Sequence, residues 1–221
     1  LRNPLQVAAG RVEMAREECA SDHLDAASQA IDRSRSLIDD VLALTREGES
    51  YGDVEPVALS AAARDRWDRL GVDAGVARLV VDVDRAVLAD PEGLDRLLEN
   101  LLRNGVEHGA TGTRSTSGDS VAHGSTRSRS EAPGDDHGDP DLTVTVGTLE
   151  DGFYVEDDGR GIDPDAFEAV FDPGYSTSED GTGLGLRIVA QVADAHGWSV
   201  RAAEGTDGGA RFEITGVEFA A

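Results

Sequence analysis

Two glycine-paired stretches and a pair of asparagines carry the residue types that could do chemistry in this chain. In Asp157-Asp158-Gly159-Arg160-Gly161, carboxylates stand beside glycines that let the main chain come close to a ligand. Gly181-Thr182-Gly183-Leu184-Gly185-Leu186 opens a helical pattern of Leu186, Val189, Ala190 and Ala193 that ends at His196-Gly197. Its free amides and the positive end of its dipole face the loop, a place suited to phosphate. Asn100 and Asn104 are four apart, so a helix would put them on one face. A carboxylate leaving the end of a strand can accept a hydrogen bond from an exocyclic amine such as that of adenine, and selects it over a carbonyl. An amide oxygen is a neutral, hard ligand for Mg²⁺, which keeps several waters and takes its other ligands from a triphosphate. Together these residues read as an ATP site, with Asp157 on the base and Asn104 on the metal. Singly they are weaker, because Asp-Gly pairs also make ordinary turns and amides also satisfy nearby backbone.

The chain has no lysine, so it cannot build the G-x-x-x-x-G-K-[ST] phosphate loop. The phosphates then fall to main-chain amides and Mg²⁺, with Arg103 and Arg187 as candidate cations.

The elements that must hold these groups follow from periodicity. Asp90-Pro91 starts a helix with proline in its first turn, and Leu94, Leu97, Leu98, Leu101 and Leu102 form its broad apolar face. Asn100, Asn104, Glu107 and His108 lie on a polar stripe beside that face, turned toward a cleft. Residues 57–70 read as a helix, and 78–82 and 86–89 as short strands. Residues 142–146, 153–156, 199–203 and 210–214 read as further strands, the last two joined by the glycine-rich turn 205–209. This order, without regular βαβ alternation, predicts an α+β fold, a two-layer α/β sandwich.

Upstream, Leu1, Leu5, Ala8, Val12, Ala15 and Cys19 step by four and three. After Ser21-Asp22, a second stripe runs through Leu24, Ala27, Ile31, Ile38, Val41 and Thr45 to Gly48. Two such helices cannot bury their stripes alone, which predicts an α-helical hairpin (residues 1–50) pairing with a second copy as a dimeric four-helix bundle, the alternative being that they pack on the rest of the same chain. The predicted catalytic domain is 51–221, interrupted by a flexible insertion at about 109–141 that is rich in Ser, Gly, Thr and Asp. Residues 106–111 are echoed at 121–126, a local duplication inside that insertion. His123 and His137 read there as solvated side chains.

A formal net charge of −24, with every basic side chain an arginine or histidine, argues against nucleic acid as a partner. A solvated carboxylate surface without lysine suits a halophilic protein, in which high salt screens self-repulsion. The single Cys19 permits no internal disulfide, and no stretch has the apolar length of a membrane span. No membrane contact and a cytoplasmic location are therefore expected. The opening Leu1-Arg2-Asn3-Pro4-Leu5 begins in mid-pattern, as a fragment would.

Residues 98–108, Leu-Glu-Asn-Leu-Leu-Arg-Asn-Gly-Val-Glu-His, resemble the asparagine box of sensor histidine kinases. Residues 157–161 and 181–186 resemble their two glycine boxes, and Phe171-Asp172-Pro173-Gly174-Tyr175-Ser176-Thr177 resembles the phenylalanine box of the mobile lid. The order is the family's, and the opening five residues are similar to the segment after the phosphoacceptor. Composition and acidity are similar to haloarchaeal members. The resemblance implies a Bergerat-type ATP-binding fold of the gyrase and heat-shock-chaperone superfamily behind the hairpin, a homodimer through residues 1–50, and a response-regulator receiver domain as partner. It implies that Asp157 binds the adenine amine and Asn104 ligates Mg²⁺, with Asn100 and His108 lining the phosphate side. Gly159, Gly161 and Ile162 would shape the base pocket. Gly181, Thr182, Gly183, Leu184, Gly185 and Leu186 would close over the phosphates near Arg103. Asn3 resembles the polar residue that orients water during dephosphorylation of the partner.

The sequence departs from the pattern in two places. The phosphoacceptor histidine and its acidic neighbour are expected two and one positions before Leu1, so this chain is expected to bind Mg-ATP without phosphorylating itself. Ala210 stands where a hydroxyl often holds an adenine-bound water. Two other readings stay open: an ATP-gated dimer clamp of the gyrase or mismatch-repair type, which would carry a glutamate at Asn100, and a non-catalytic nucleotide-binding scaffold.

Overall fold

The computed structural model describes residues 2–18, 52–109, 140, 142–176 and 182–220, with scattered positions between 21 and 38. Cys19, Gly181, His123, His137, the repeated segment's second copy and most of the second hairpin helix lie outside the described residues. The first of the two helices expected at the start of the chain is α1, Arg2–Glu18. Its stripe residues Leu5, Ala8, Val12 and Ala15 are half-buried, whereas Val7 and Met14 are 59% and 60% exposed.

The region that follows begins with a strand, β1 (Glu55–Ala58), before helix α2 (Leu59–Leu70). This corrects the helix expected over 57–70. Val57 carries a helical spacing, but tertiary pairing overrides it. With β2 at Ala77–Asp82 and β3 at Ala86–Ala89, β1 pairs antiparallel with β3, placing Pro56 opposite Leu88 and Val57 opposite Val87. The chain's last residues add to this small sheet: the Leu88 amide donates to the Glu218 carbonyl at 2.8 Å, and the Ala220 amide to that of Ala86 at 2.9 Å.

Then come α3 (Pro91–Gly109), β4 (Leu142–Leu149), β5 (Gly152–Asp157), two 3₁₀ turns (Pro164–Ala166 and Ala169–Phe171), α4 (Gly185–His196), β6 (Ser199–Glu204) and β7 (Ala210–Thr215). The main sheet runs β2-β4-β5-β7-β6, with β2 and β4 parallel and the other neighbours antiparallel. Helices α2, α3 and α4 layer on it, α3 between α2 and α4. This is the α+β two-layer sandwich expected from the sequence.

The core lies between the layers. Leu94, Leu97, Leu98, Leu101 and Leu102 of α3 are at most 1% exposed, against Leu142, Val144, Val146, Phe153, Val155, Phe212 and Ile214 of the sheet. A fully buried leucine contributes on the order of 2 kcal/mol, so this stripe fixes the orientation of α3 and the direction its asparagines take. On α4 the buried face is Ile188, Val189, Val192 and Ala193, while Leu186 and Ala190 are only partly covered. The face is thus turned from the one expected, because two i, i+4 rows make a better seam than a single scattered stripe.

Caps set both helices. The Asp90 carboxylate accepts from the Gly93 amide at 2.6 Å, so it is the N-cap of α3. Gly197, at φ +73°, ends α4 with its amide on the Ala193 and Asp194 carbonyls.

Candidate nucleotide site

α3 and α4 run in opposite directions, with the Asp90 end of α3 beside the His196 end of α4. His196 Nε2 accepts from the Asp90 amide at 3.0 Å, its Nδ1 lies 2.8 Å from the Val192 carbonyl, and its ring stacks on Trp198 with centroids 4.3 Å apart. At the other end, the start of α4 meets the asparagines. A Cβ placed on Gly185 would stand 3.0 Å from Asn100 Oδ1 and 3.6 Å from Asn104 Oδ1. Asn100 is buried, 8% exposed, and its Nδ2 donates to the Arg96 carbonyl at 2.8 Å, so its oxygen is the end turned to α4. The polar stripe of the sequence is therefore partly interior.

Asp157 is the last residue of β5 and 7% exposed. The bonds described to its carboxylate fall on Oδ1, which accepts from the Gly159 amide at 3.0 Å and the Ala210 amide at 3.3 Å. Burial pushes its pKa up, against the pull of those two amides, and the neighbouring Asp158 and Glu156 charges add to the rise. Among the described residues no hydrogen bond falls on Oδ2, so the carboxylate is fixed in orientation through one oxygen and keeps the other to accept. An amine donor would satisfy it.

The loop after Asp157 is locked on both sides. Asp158 Oδ1 accepts from the Thr143 amide at 2.7 Å and the Asp158 amide donates to the Thr143 carbonyl at 3.2 Å, extending the ladder between β4 and β5 by one residue. Gly159 packs on the end of α3, where an added Cβ would come 2.5 Å from the Gly109 Cα. Gly161 lies on the turn 205–209, and a Cβ on Gly209 would run into the carbonyl of Asp157. Asp158 and this turn thus stand beyond the residues that the sequence marks for the site. The signal was the Gly208-Gly209 pair, unusual inside a short hairpin unless backbone must approach backbone. Ala210, which has no hydroxyl, meets Asp157 through its main-chain amide.

Of the remaining expected residues, His108 is half-buried at the end of α3, and burial lowers its pKa from 6.5, with Glu107 opposing and Arg160 adding to the fall. Arg103 is engaged one turn back along α3 by Glu99 at 2.8 Å. Ile162 packs on the core, Thr182 Oγ1 accepts from the Leu184 amide at 3.2 Å, and Leu184 and Leu186 are partly covered. Gly183, at φ +64°, presses on Gly174, whose amide donates to the Gly183 carbonyl at 3.1 Å. Phe171 of the phenylalanine box packs edge-on against Phe212 at 6.3 Å. Asn3 lies in α1, away in sequence from all of these.

Residues 89–218 match the family described as histidine kinase-, DNA gyrase B-, and HSP90-like ATPase. The sensory histidine kinase/phosphatase NtrB of Rhodobacter capsulatus is 29% identical over 216 residues, 93% of this chain and 56% of NtrB. The sensor histidine kinase ZraS of Salmonella typhi is 40% identical over 77 residues, 33% of this chain and 17% of ZraS. The chain thus spans little more than half of one relative and a sixth of the other. Among solved structures, full-length ShkA in complex with AMPPNP has the same fold at a TM-score of 0.64 and 23% identity, covering 100% of this chain and 44% of ShkA. Acinetobacter baumannii AdeS does so at 0.55 and 18%, covering 96% and 94%. With that match over more than half its length, the chain belongs to the histidine kinase-, DNA gyrase B- and HSP90-like ATPase family, and carries a catalytic region of the sensor histidine kinase type.

Proposed function

We propose that this chain binds Mg-ATP and is the catalytic part of a protein-histidine kinase, which passes the γ-phosphoryl group to a histidine for relay to a response-regulator aspartate. The observation that carries the reading is Asp157, buried, with Oδ1 held by two main-chain amides and Oδ2 left to take the adenine amine. The Asn100 and Asn104 oxygens, brought against Gly185, mark the phosphate side, and the start of α4 supplies amides there. AMPPNP, an ATP analogue, is bound by ShkA, which shares the fold.

The donor chemistry suits a hard cation that is carried in with the nucleotide. Among the described residues no three His, Cys, Asp or Glu side chains stand together as a metal cage, but two neutral amide oxygens converge beside Gly185. Asn104 would hold Mg²⁺, which when bound neutralises phosphate charge. Gly159, Gly161 and Ile162 form the base wall. His108, Arg103, Thr182, Gly183, Leu184, Gly185 and Leu186, with Gly181, line the phosphate side and the lid, which excludes water from the transfer. Residues 1–50 form the dimer hairpin and 51–221 the catalytic domain, and the work is done in the cytoplasm against a receiver domain. Asn3 would serve dephosphorylation of that partner. A gyrase-like clamp is disfavoured, because Asn100 has no carboxylate to activate water.

Asp157→Asn tests this reading. Calorimetric titration with Mg-ATP should give an affinity about ten- to a hundredfold weaker, the usual loss on removing a charged hydrogen-bond partner. Unchanged affinity would refute the base assignment.

A further inference from the structure

The sheet face turned away from the helices carries a charged cluster that the proposed site does not use. Glu156 stands opposite Arg211 across β5 and β7, and Tyr154 opposite Glu213. Arg211 lies over the Tyr154 ring at 3.6 Å, donates Nη1 to Glu156 Oε2 at 2.9 Å and Nε to Glu213 Oε1 at 2.8 Å. Arg201 pairs with the same Glu213. The side chains of Arg211, Glu156 and Glu213 are only 16%, 14% and 10% exposed, so this cluster is held rather than waving in water.

Glu156 has a second hand. Its carboxylate accepts from the Thr206 amide at 3.4 Å and from the Thr206 hydroxyl at 3.3 Å. Thr206 sits in the turn 205–209, which closes on itself through the Gly205 amide and Gly209 carbonyl at 2.7 Å. That turn lies on Asp157: a Cβ on Gly205 would stand 3.1 Å from the Asp157 carbonyl, and the Ala210 amide leaving the turn bonds Oδ1.

We propose that Glu156 is a positioning residue for the nucleotide base: anchored by Arg211, it grips Thr206, seats the turn 205–209 on Asp157, and so fixes which carboxylate oxygen faces the base. This rests on the reading of Asp157 as the adenine acceptor. Thr206 acts with Glu156, and neither touches the base. Loosening the grip lets the Ala210 amide leave Oδ1, the carboxylate rotates, and discrimination between an amine and a carbonyl on the purine falls.

The test is the affinity of the full chain for Mg-ATP and for Mg-ITP, which has a carbonyl in place of the amine, measured by calorimetry. Glu156→Ala and Thr206→Val should each weaken ATP about three- to tenfold, the range for one lost hydrogen bond, and leave ITP within about twofold. Thr206→Ser, which keeps the hydroxyl, should restore the ATP value. In an Asp157→Asn background, Glu156→Ala should change neither affinity further, because the effect runs through the carboxylate. Equal losses for ATP and ITP, or a loss that persists in that background, would overturn the proposal and leave Glu156 a purely structural residue. Should Glu156→Ala lose its folded thermal transition, Thr206→Val at its more exposed site decides. If Asp157→Asn alters the ATP to ITP ratio and Glu156→Ala and Thr206→Val do not, this proposal falls by itself. If Asp157→Asn leaves the ratio unchanged, the base reading falls and takes this proposal with it.

Discussion

Asp157 concentrates the conflict between stability and binding in one side chain. Burial raises its pKa above the ordinary 3.8, so at neutral pH its charge is carried at a cost in the free protein. For an acid raised in this way, the folded state takes up a proton before the unfolded one, and stability is gained as pH falls through the raised value. Asp157→Asn keeps an oxygen for the Gly159 and Ala210 amides without the charge. The variant should therefore be at least as stable as the parent near pH 7 without nucleotide, its advantage shrinking on acidification. Thermal melts across pH with no ATP check this, and a clear loss of stability at pH 7 would contradict it. His108 works in the other direction. Its pKa is lowered from 6.5 by burial, so below about pH 6.5 the unfolded chain takes a proton that the folded chain refuses, and stability is lost until the folded value is passed. His108→Gln should flatten this acid-side slope. The readout is the difference between the two pH profiles, not the absolute midpoint.

At the scale of elements, the site is a meeting of ends. The asparagines sit in the middle and late turns of α3, the glycines start α4, and Asp157 ends β5. What aligns the two helices is as far from the site as the elements allow: Asp90 caps α3 and its amide is received by His196 at the end of α4. Asp90→Ala removes the cap and should cost about 1 kcal/mol, near the centre of the range for such losses. For a chain of this size, the thermal midpoint should fall by about 2–4 °C. The lost cap also loosens the pairing that brings Gly185 against Asn100. A midpoint within 1 °C of the parent would mean that α3 is held by its leucines alone.

At the scale of the molecule, the net charge of −24 dominates. Like charges spread over one surface repel, and the repulsion is screened over about 10 Å at 0.1 M salt and about 3 Å at 1 M. The thermal midpoint should therefore climb steeply between about 0.1 and 2 M KCl, each kcal/mol recovered moving it by about 2–4 °C. A midpoint independent of KCl would remove the halophilic reading. Among the described residues no helix is long and apolar enough to cross a membrane.

The sequence by itself determined the motifs, their order and the α+β class, because these depend on local matters: residue type, spacing, and periodicities of 3.6 and 2. The leucine face of α3, the cap at Asp90, the glycine ending α4 and the strand carrying Asp157 were all legible for that reason. It misassigned residues 57 and 58, whose strand exists only through pairing with β3, and it turned the buried face of α4, which is chosen by what packs on it. It also left Asp158, Glu156, Thr206 and the turn 205–209 out of the site. Their part depends on contacts across 15 to 53 positions, and no local pattern encodes a partner so distant. Only the tertiary structure decided that one oxygen of Asp157 is taken by main chain and that, among the described residues, the other is not. The identity of the carboxylate was written in the chain, but its orientation comes from backbone that folding brings to it.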